Sequence, residues 1–102
     1  MVTLSVTRSR VARVLESAAD LLGREGWDPL RNPLMNAIDR AASFVPGKSS
    51  PDAEATSLAA WDALCQYLVD VSPREWETHE GLTQTEVVDA LRAAAEEART
   101  GA

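Results

Sequence analysis

The chain has 102 residues, a mass of 11.0 kDa and one cysteine, which predicts a single domain without an internal disulfide or a cysteine-based metal cluster. Its net charge of −6 argues against general DNA binding, which requires a clustered positive surface. The sequence contains neither a long apolar run nor a leader with the layout of a signal peptide, so we expect no membrane span and a cytoplasmic location.

The charge is unevenly divided between the two halves of the chain. Residues 1–48 carry a net charge of +2, whereas residues 49–102 carry −8. This asymmetry fits an acidic helix pair beside a more neutral one. A contact with a partner, or a head-to-tail contact between copies, that pairs the opposite signs stays open as an alternative.

The N-terminal quarter of the chain predicts an extended arm followed by a long helix. Apolar and polar side chains alternate in residues 1–6, which is a strand-like pattern without a sheet to join. Thr7 then caps a first helix from Arg8 to about Arg24, whose apolar residues recur at three- and four-residue steps. Gly23 and Gly26 allow this helix to end.

Four helix-start signals predict the remaining helices. They are Asn32-Pro33, Ser50-Pro51, Ser72-Pro73-Arg74-Glu75 and Thr83-Gln84-Thr85-Glu86. The helices expected after them span residues 33–44, 51–71, 73–78 and 84–99, and residues 100–102 should fray. The residues of the third helix that are predicted to face inward are Leu58, Trp61, Leu64, Cys65, Leu68 and Val71. Residues 1–102 therefore predict one all-α domain, a compact bundle of four main helices with a short helical turn before the last.

No motif in the chain indicates catalysis or a cofactor. Cys65 lies in the apolar pattern of the third helix, where a free cysteine acts as a small hydrophobic residue, and His79 lies in a polar connector. Glu75, Glu77 and Glu80 cluster along the chain, but a metal site needs carboxylates that converge from different elements. We therefore expect no catalytic residue, no metal and no cofactor.

The arginines of the first helix do not make a nucleic-acid interface. Arg10 and Arg13 share one helix face, but the connector from Gly23 to Asn32 is long for a helix-turn-helix motif, and no second basic helix follows. A nucleic-acid partner is not predicted.

Two tryptophans in the connectors are the best candidates for a binding surface. Trp27 and Trp76 lie where the chain leaves its helices, and tryptophan is enriched at interaction hot spots. Glu75, Glu77 and Glu80 would surround Trp76 with an acidic rim that favours a basic protein partner. The alternative is that each indole folds back over an end of the bundle.

The leading functional prediction is a non-enzymatic protein-interaction module. Homodimerisation is a further hypothesis, because many of the apolar residues are alanines and residues 1–6 could contact a second copy. The alternatives are an acidic mimic of nucleic acid, in which the −8 half occupies a basic groove of another protein, and a small enzyme or ligand-binding protein of unrecognised type.

Three stretches of the chain resemble a family of small uncharacterised helical proteins from actinobacteria. They are residues 14–27 (VLESAADLLGREGW), residues 37–42 (AIDRAA) and residues 83–94 (TQTEVVDALRAA). The resemblance extends over most of the chain and implies a bacterial, cytoplasmic protein, from a mobile-element context and without an assigned activity. The resemblance assigns no catalytic residue in this chain.

Overall fold

The computed structural model describes residues 7–45, 47–48 and 50–100. Its helices in chain order are α1 (Arg8–Glu25), α2 (Leu34–Ala41), α3 (Pro51–Leu68), α4 (Pro73–Glu77) and α5 (Gln84–Thr100). Helix accounts for 72% of the described residues, which include no β-strand, so the predicted all-α bundle is confirmed. The predicted arm at residues 1–6 lies outside the described residues, and the predicted frayed tail overlaps the end of α5 at Thr100.

Side-chain caps begin four of the helices where the sequence predicts them. The hydroxyl oxygen of Thr7 accepts a hydrogen bond from Arg10 N at 3.2 Å, and Ser50 makes the equivalent bond to Ala53 N. Ser72 and Thr83 cap α4 and α5 in the same way. Glu86 completes a capping box by accepting from Thr83 N, whereas the Glu75 carboxylate accepts from the Ser72 hydroxyl instead of from its backbone N–H. Local chemistry alone is therefore sufficient to set these four helix starts.

The second helix differs from its prediction at both ends. Asn32 does not cap it, because the Asn32 amide donates to Gly26 O at 2.9 Å and Pro33 occupies the cap position without a side-chain bond. The helix also stops at Ala41, short of the predicted Phe44. Ser43 has a φ of 60°, and Phe44 N donates back to Asp39 O at 2.8 Å, which closes the helix end in a Schellman arrangement without glycine.

The core is centred on α1 and α5, which pack against each other more extensively than any other pair of helices. Leu15, Leu22 and Leu91 are fully buried, and alanines fill much of the space between them. Small side chains let the two helix backbones approach closely. The other helices pack around this pair, and α4 contacts both α2 and α3.

The buried face of the third helix differs in part from the predicted one. Leu58 was expected to point inward, but its side chain is 60% exposed. Leu64 is buried as predicted, and Thr56, Ser57 and Ala60 face the core in place of Leu58. The buried hydroxyl groups are satisfied, because Thr56 Oγ1 donates to Asp52 O at 2.8 Å and Ser57 Oγ donates to a carboxylate of α2.

Ion pairs on the surface join α1 and its neighbours. They are Arg10–Asp52, Glu25–Arg40, Glu16–Arg99 and Asp20–Arg92. The hydrogen bond from Arg10 lowers the pKa of Asp52, and the one from Arg40 lowers the pKa of Glu25. Backbone N–H groups of the connector after α1 lower the pKa of Asp28. Solvent exposure keeps the contribution of each pair to stability small.

These lowered carboxyl pKa values predict the direction in which stability depends on pH. A carboxyl group with a lower pKa in the folded protein stabilises it above the unfolded pKa, and that contribution is lost as the pH falls through the folded pKa. We expect a constant melting temperature down to about pH 5 and a fall below about pH 4. Arg40→Gln should make the fall shallower, and a melting temperature that rises on acidification would contradict the prediction.

Candidate functional site

Trp27 and Glu77, both predicted at the binding surface, contact each other inside the fold. Trp27 Nε1 donates to Glu77 Oε2 at 2.9 Å, and Leu34 N donates to the same oxygen at 2.5 Å. Glu77 is only 7% exposed, and its carboxylate supplies the cap that the start of α2 lacks. The prediction of an exposed acidic rim is therefore wrong for Glu77.

Of the other predicted surface residues, Trp76 is packed against the core, whereas the carboxylates of Glu75 and Glu80 are exposed. Trp76 lies in α4, is partly buried and packs against the core, as Trp27 also does. Glu75 is exposed and belongs to the capping box of α4, and Glu80 is exposed in the connector to α5. The rings thus cover the core on this side, and partner binding by these residues stays a prediction.

The structure does not bring the two nucleophile and base candidates together. Cys65 is half-buried on α3, and burial raises the pKa of its thiol, which the negative charge of Asp62 raises further. His79 is exposed in the connector after α4. Within the described residues no hydrogen bond joins them, so this pair does not form the activated arrangement that thiol catalysis needs.

Residues 7–45, 47–48 and 50–100 contain neither a cluster of metal ligands nor a membrane-spanning helix. In these ranges no three side chains of histidine, cysteine, aspartate or glutamate converge as metal ligands. None of the helices there combines the length and the apolar composition needed to cross a bilayer.

An apolar groove lies between α2 and α3. We call it the α2–α3 groove, and it encloses about 130 Å³. Its apolar walls are formed by Met35, Ile38, Phe44, Leu58 and Trp61. Met35 is 38% exposed and Leu58 is 60% exposed, so the two side chains present apolar surface to solvent on opposite walls. Neither residue belonged to the predicted site.

The polar residues of the α2–α3 groove are acidic or hydroxylic. Asp39 on α2 accepts a hydrogen bond from Ser57 Oγ at 2.5 Å, which joins the two walls. Glu54 lies one helical turn before Leu58 and is exposed. Within the described residues Glu54 makes neither an ion pair nor a side-chain hydrogen bond. The groove therefore combines an apolar floor with an uncompensated negative charge at its edge.

A partly buried hydrogen bond and the end of α2 together shape the α2–α3 groove. The Ser57–Asp39 bond turns Ser57 toward α2 and leaves Leu58 on the open side of α3. The Schellman end of α2 returns the chain at Phe44, which then lines the groove. The signal in the sequence is the helical spacing of three small residues, Thr56, Ser57 and Ala60, with Leu64 on the same face.

The fold and the α2–α3 groove define a small all-α domain with an exposed apolar cleft. The model of a family of unknown function, DUF6197, matches residues 6–97, and the chain belongs to this family. The predicted resemblance to a family of unassigned function is thus confirmed. No curated protein and no solved structure matches the chain.

Proposed function

We propose that this protein is a non-enzymatic interaction module that binds a protein partner through the α2–α3 groove. The observation that carries the proposal is the exposure of Met35 and Leu58 above one apolar cavity. Single exposed apolar residues are ordinary on protein surfaces, but apolar side chains grouped around a cleft mark a binding site. Trp61, a residue type enriched at hot spots, lies within the same cleft.

The groove supports this function better than the connector surface around the other two tryptophans. All three tryptophans pack partly against the core, but the indole N–H of Trp27 already donates to Glu77, whereas Trp61 also lines the groove. Glu75 and Glu80 remain exposed there, but charges at a rim contribute little affinity without an apolar anchor. A cytoplasmic location in an actinobacterium is part of the same proposal.

Site-specific photocrosslinking in the native host tests the proposal. A benzophenone amino acid in place of Leu58 should give a discrete protein adduct, which mass spectrometry identifies and purified components reconstitute. The same probe at Leu30, which is 91% exposed and outside the groove, should give no such adduct. Equal adducts from both positions, or none from either, would contradict the proposal.

A probe at Glu80 separates the two candidate surfaces. This residue is exposed beside α4, on the surface predicted from the sequence. A specific adduct from position 80 and none from position 58 would show that the partner binds the connector surface. The interaction function would then survive without the groove.

A further inference from the structure

We infer that the occupant of the α2–α3 groove is an amphipathic helix of another protein, which inserts one large apolar side chain into the groove and carries further apolar side chains at helical steps, with lysine or arginine beside them. This inference rests on the proposed function and names the class of partner. It depends on three properties of the groove, which are its volume, the helical spacing of its walls and the charge at its edge.

The volume of the groove fits one large side chain. A dry protein cavity of about 150 Å³ holds a molecule of benzene. The groove encloses about 130 Å³, so it accommodates a single leucine or phenylalanine side chain rather than a whole segment. The rest of the partner must then lie across the exposed parts of Met35 and Leu58.

The walls of the groove favour a helix over an extended strand. On α3 the lining residues Glu54, Leu58 and Trp61 follow the four- and three-residue steps of one helix face, and Met35 and Ile38 do so on α2. A trough between two helices receives a third helix through anchors at similar steps. An extended strand would need unpaired backbone groups along the edge of a sheet, and the described residues contain no β-strand.

The edge of the groove selects a basic partner. Glu54 has no cation beside it within the described residues, and the Asp39 carboxylate retains acceptor capacity after its bond to Ser57. Arg10, the arginine of α1 that contacts α3, is already paired with Asp52. A lysine or arginine one turn from the anchor would therefore meet uncompensated carboxylates.

The same charges disfavour a second copy of the chain as the occupant. A two-fold contact centred on the groove would bring Glu54 and Asp39 of both copies into one interface. Like charges placed together at an interface oppose association. The net charge of −6 on each copy adds to this repulsion.

Binding of a designed peptide to the full chain tests the inference. The probe is a fluorescent helical peptide of about 18 residues, with leucines at i, i+4 and i+7 and lysines beside them. Fluorescence anisotropy should show binding in low salt that weakens about tenfold as the salt concentration rises. A peptide with glutamate in place of each lysine should not bind.

Matched variants locate the binding site. Leu58→Asn should weaken binding of the lysine peptide about tenfold, whereas Leu30→Asn, at a more exposed leucine, should leave it within about twofold. Glu54→Gln should weaken binding about threefold and reduce its dependence on salt, whereas Glu80→Gln should do neither. Thermal melts of all four variants verify that the fold is intact.

Several results would overturn the inference. Equal binding of the glutamate peptide would show that the partner need not be basic. If the lysine peptide binds only after residues 1–6 are deleted, those residues are the occupant of the groove. A dimer in sedimentation that Leu58→Asn abolishes would assign the groove to a second copy. If the lysine peptide fails while the probe at position 58 still gives its adduct, the partner class is wrong and the interaction function stands. If the lysine peptide does not bind and the probe at position 58 gives no adduct, both the inferred partner class and the proposed function are wrong.

Discussion

Glu77→Ala should be among the most destabilising single substitutions in this protein, with a loss of about 3 kcal/mol in the free energy of unfolding. The Glu77 carboxylate accepts hydrogen bonds from Trp27 Nε1 and from Leu34 N, and it is buried. Its removal leaves two donors without partners, each at a cost of about 1 to 3 kcal/mol. Urea denaturation followed by circular dichroism measures the loss.

Two companion variants separate this bridge from a general effect of lost charge. Glu80→Ala removes an exposed carboxylate three residues later and should change stability by no more than about 0.5 kcal/mol. Trp27→Phe removes one of the two donors, so it should cost less in the Glu77→Ala background than in the wild type. Equal losses from Glu77→Ala and Glu80→Ala would show that the bridge does not stabilise the fold.

The helix starts show which parts of this fold can be predicted from the sequence. Thr7, Ser50, Ser72 and Thr83 each bond to a backbone N–H three residues ahead, so a short stretch of sequence contains the whole interaction. The cap of α2 comes from Glu77, 43 residues after Leu34. Local pattern therefore pointed to Asn32, and only the tertiary structure shows the actual acceptor.

The candidate site could be predicted less well than the fold, for a reason found in α3. Apolar residues occur around much of this helix, so their spacing does not single out one inward face. The apolar pattern therefore predicts a core position for Leu58, and it does not predict the α2–α3 groove. The Ser57–Asp39 hydrogen bond that sets the orientation joins residues 18 positions apart.

The tryptophans illustrate a second limit of prediction from sequence. Trp27 and Trp76 lie at the places predicted for them, outside the long helices, but both rings pack against the core. Sequence position gives the element that carries a side chain, whereas the direction of the ring depends on the neighbouring helices. Trp61, on a helix face predicted to be buried, packs partly against the core and also lines the groove.

Leu91→Ala should reduce the free energy of unfolding by about 3 kcal/mol. Leu91 is fully buried on α5, which packs against α1 in the most extensive helix contact of the domain. The shortened side chain loses its burial and leaves a cavity, because the surrounding helices relax only partly. A domain of about 100 residues has a total stability of about 5 to 15 kcal/mol, so the melting temperature should fall by more than 10 °C.

Leu58→Ala is the matched control, since it makes the same chemical change on α3. With its side chain 60% exposed, Leu58 loses little burial on truncation, and we expect a change within about 0.5 kcal/mol. The pair also tests the orientation of α3, because a core position for Leu58 would make both substitutions comparably destabilising. Similar losses from the two variants would therefore return Leu58 to the core and remove the exposed apolar wall on which the α2–α3 groove depends.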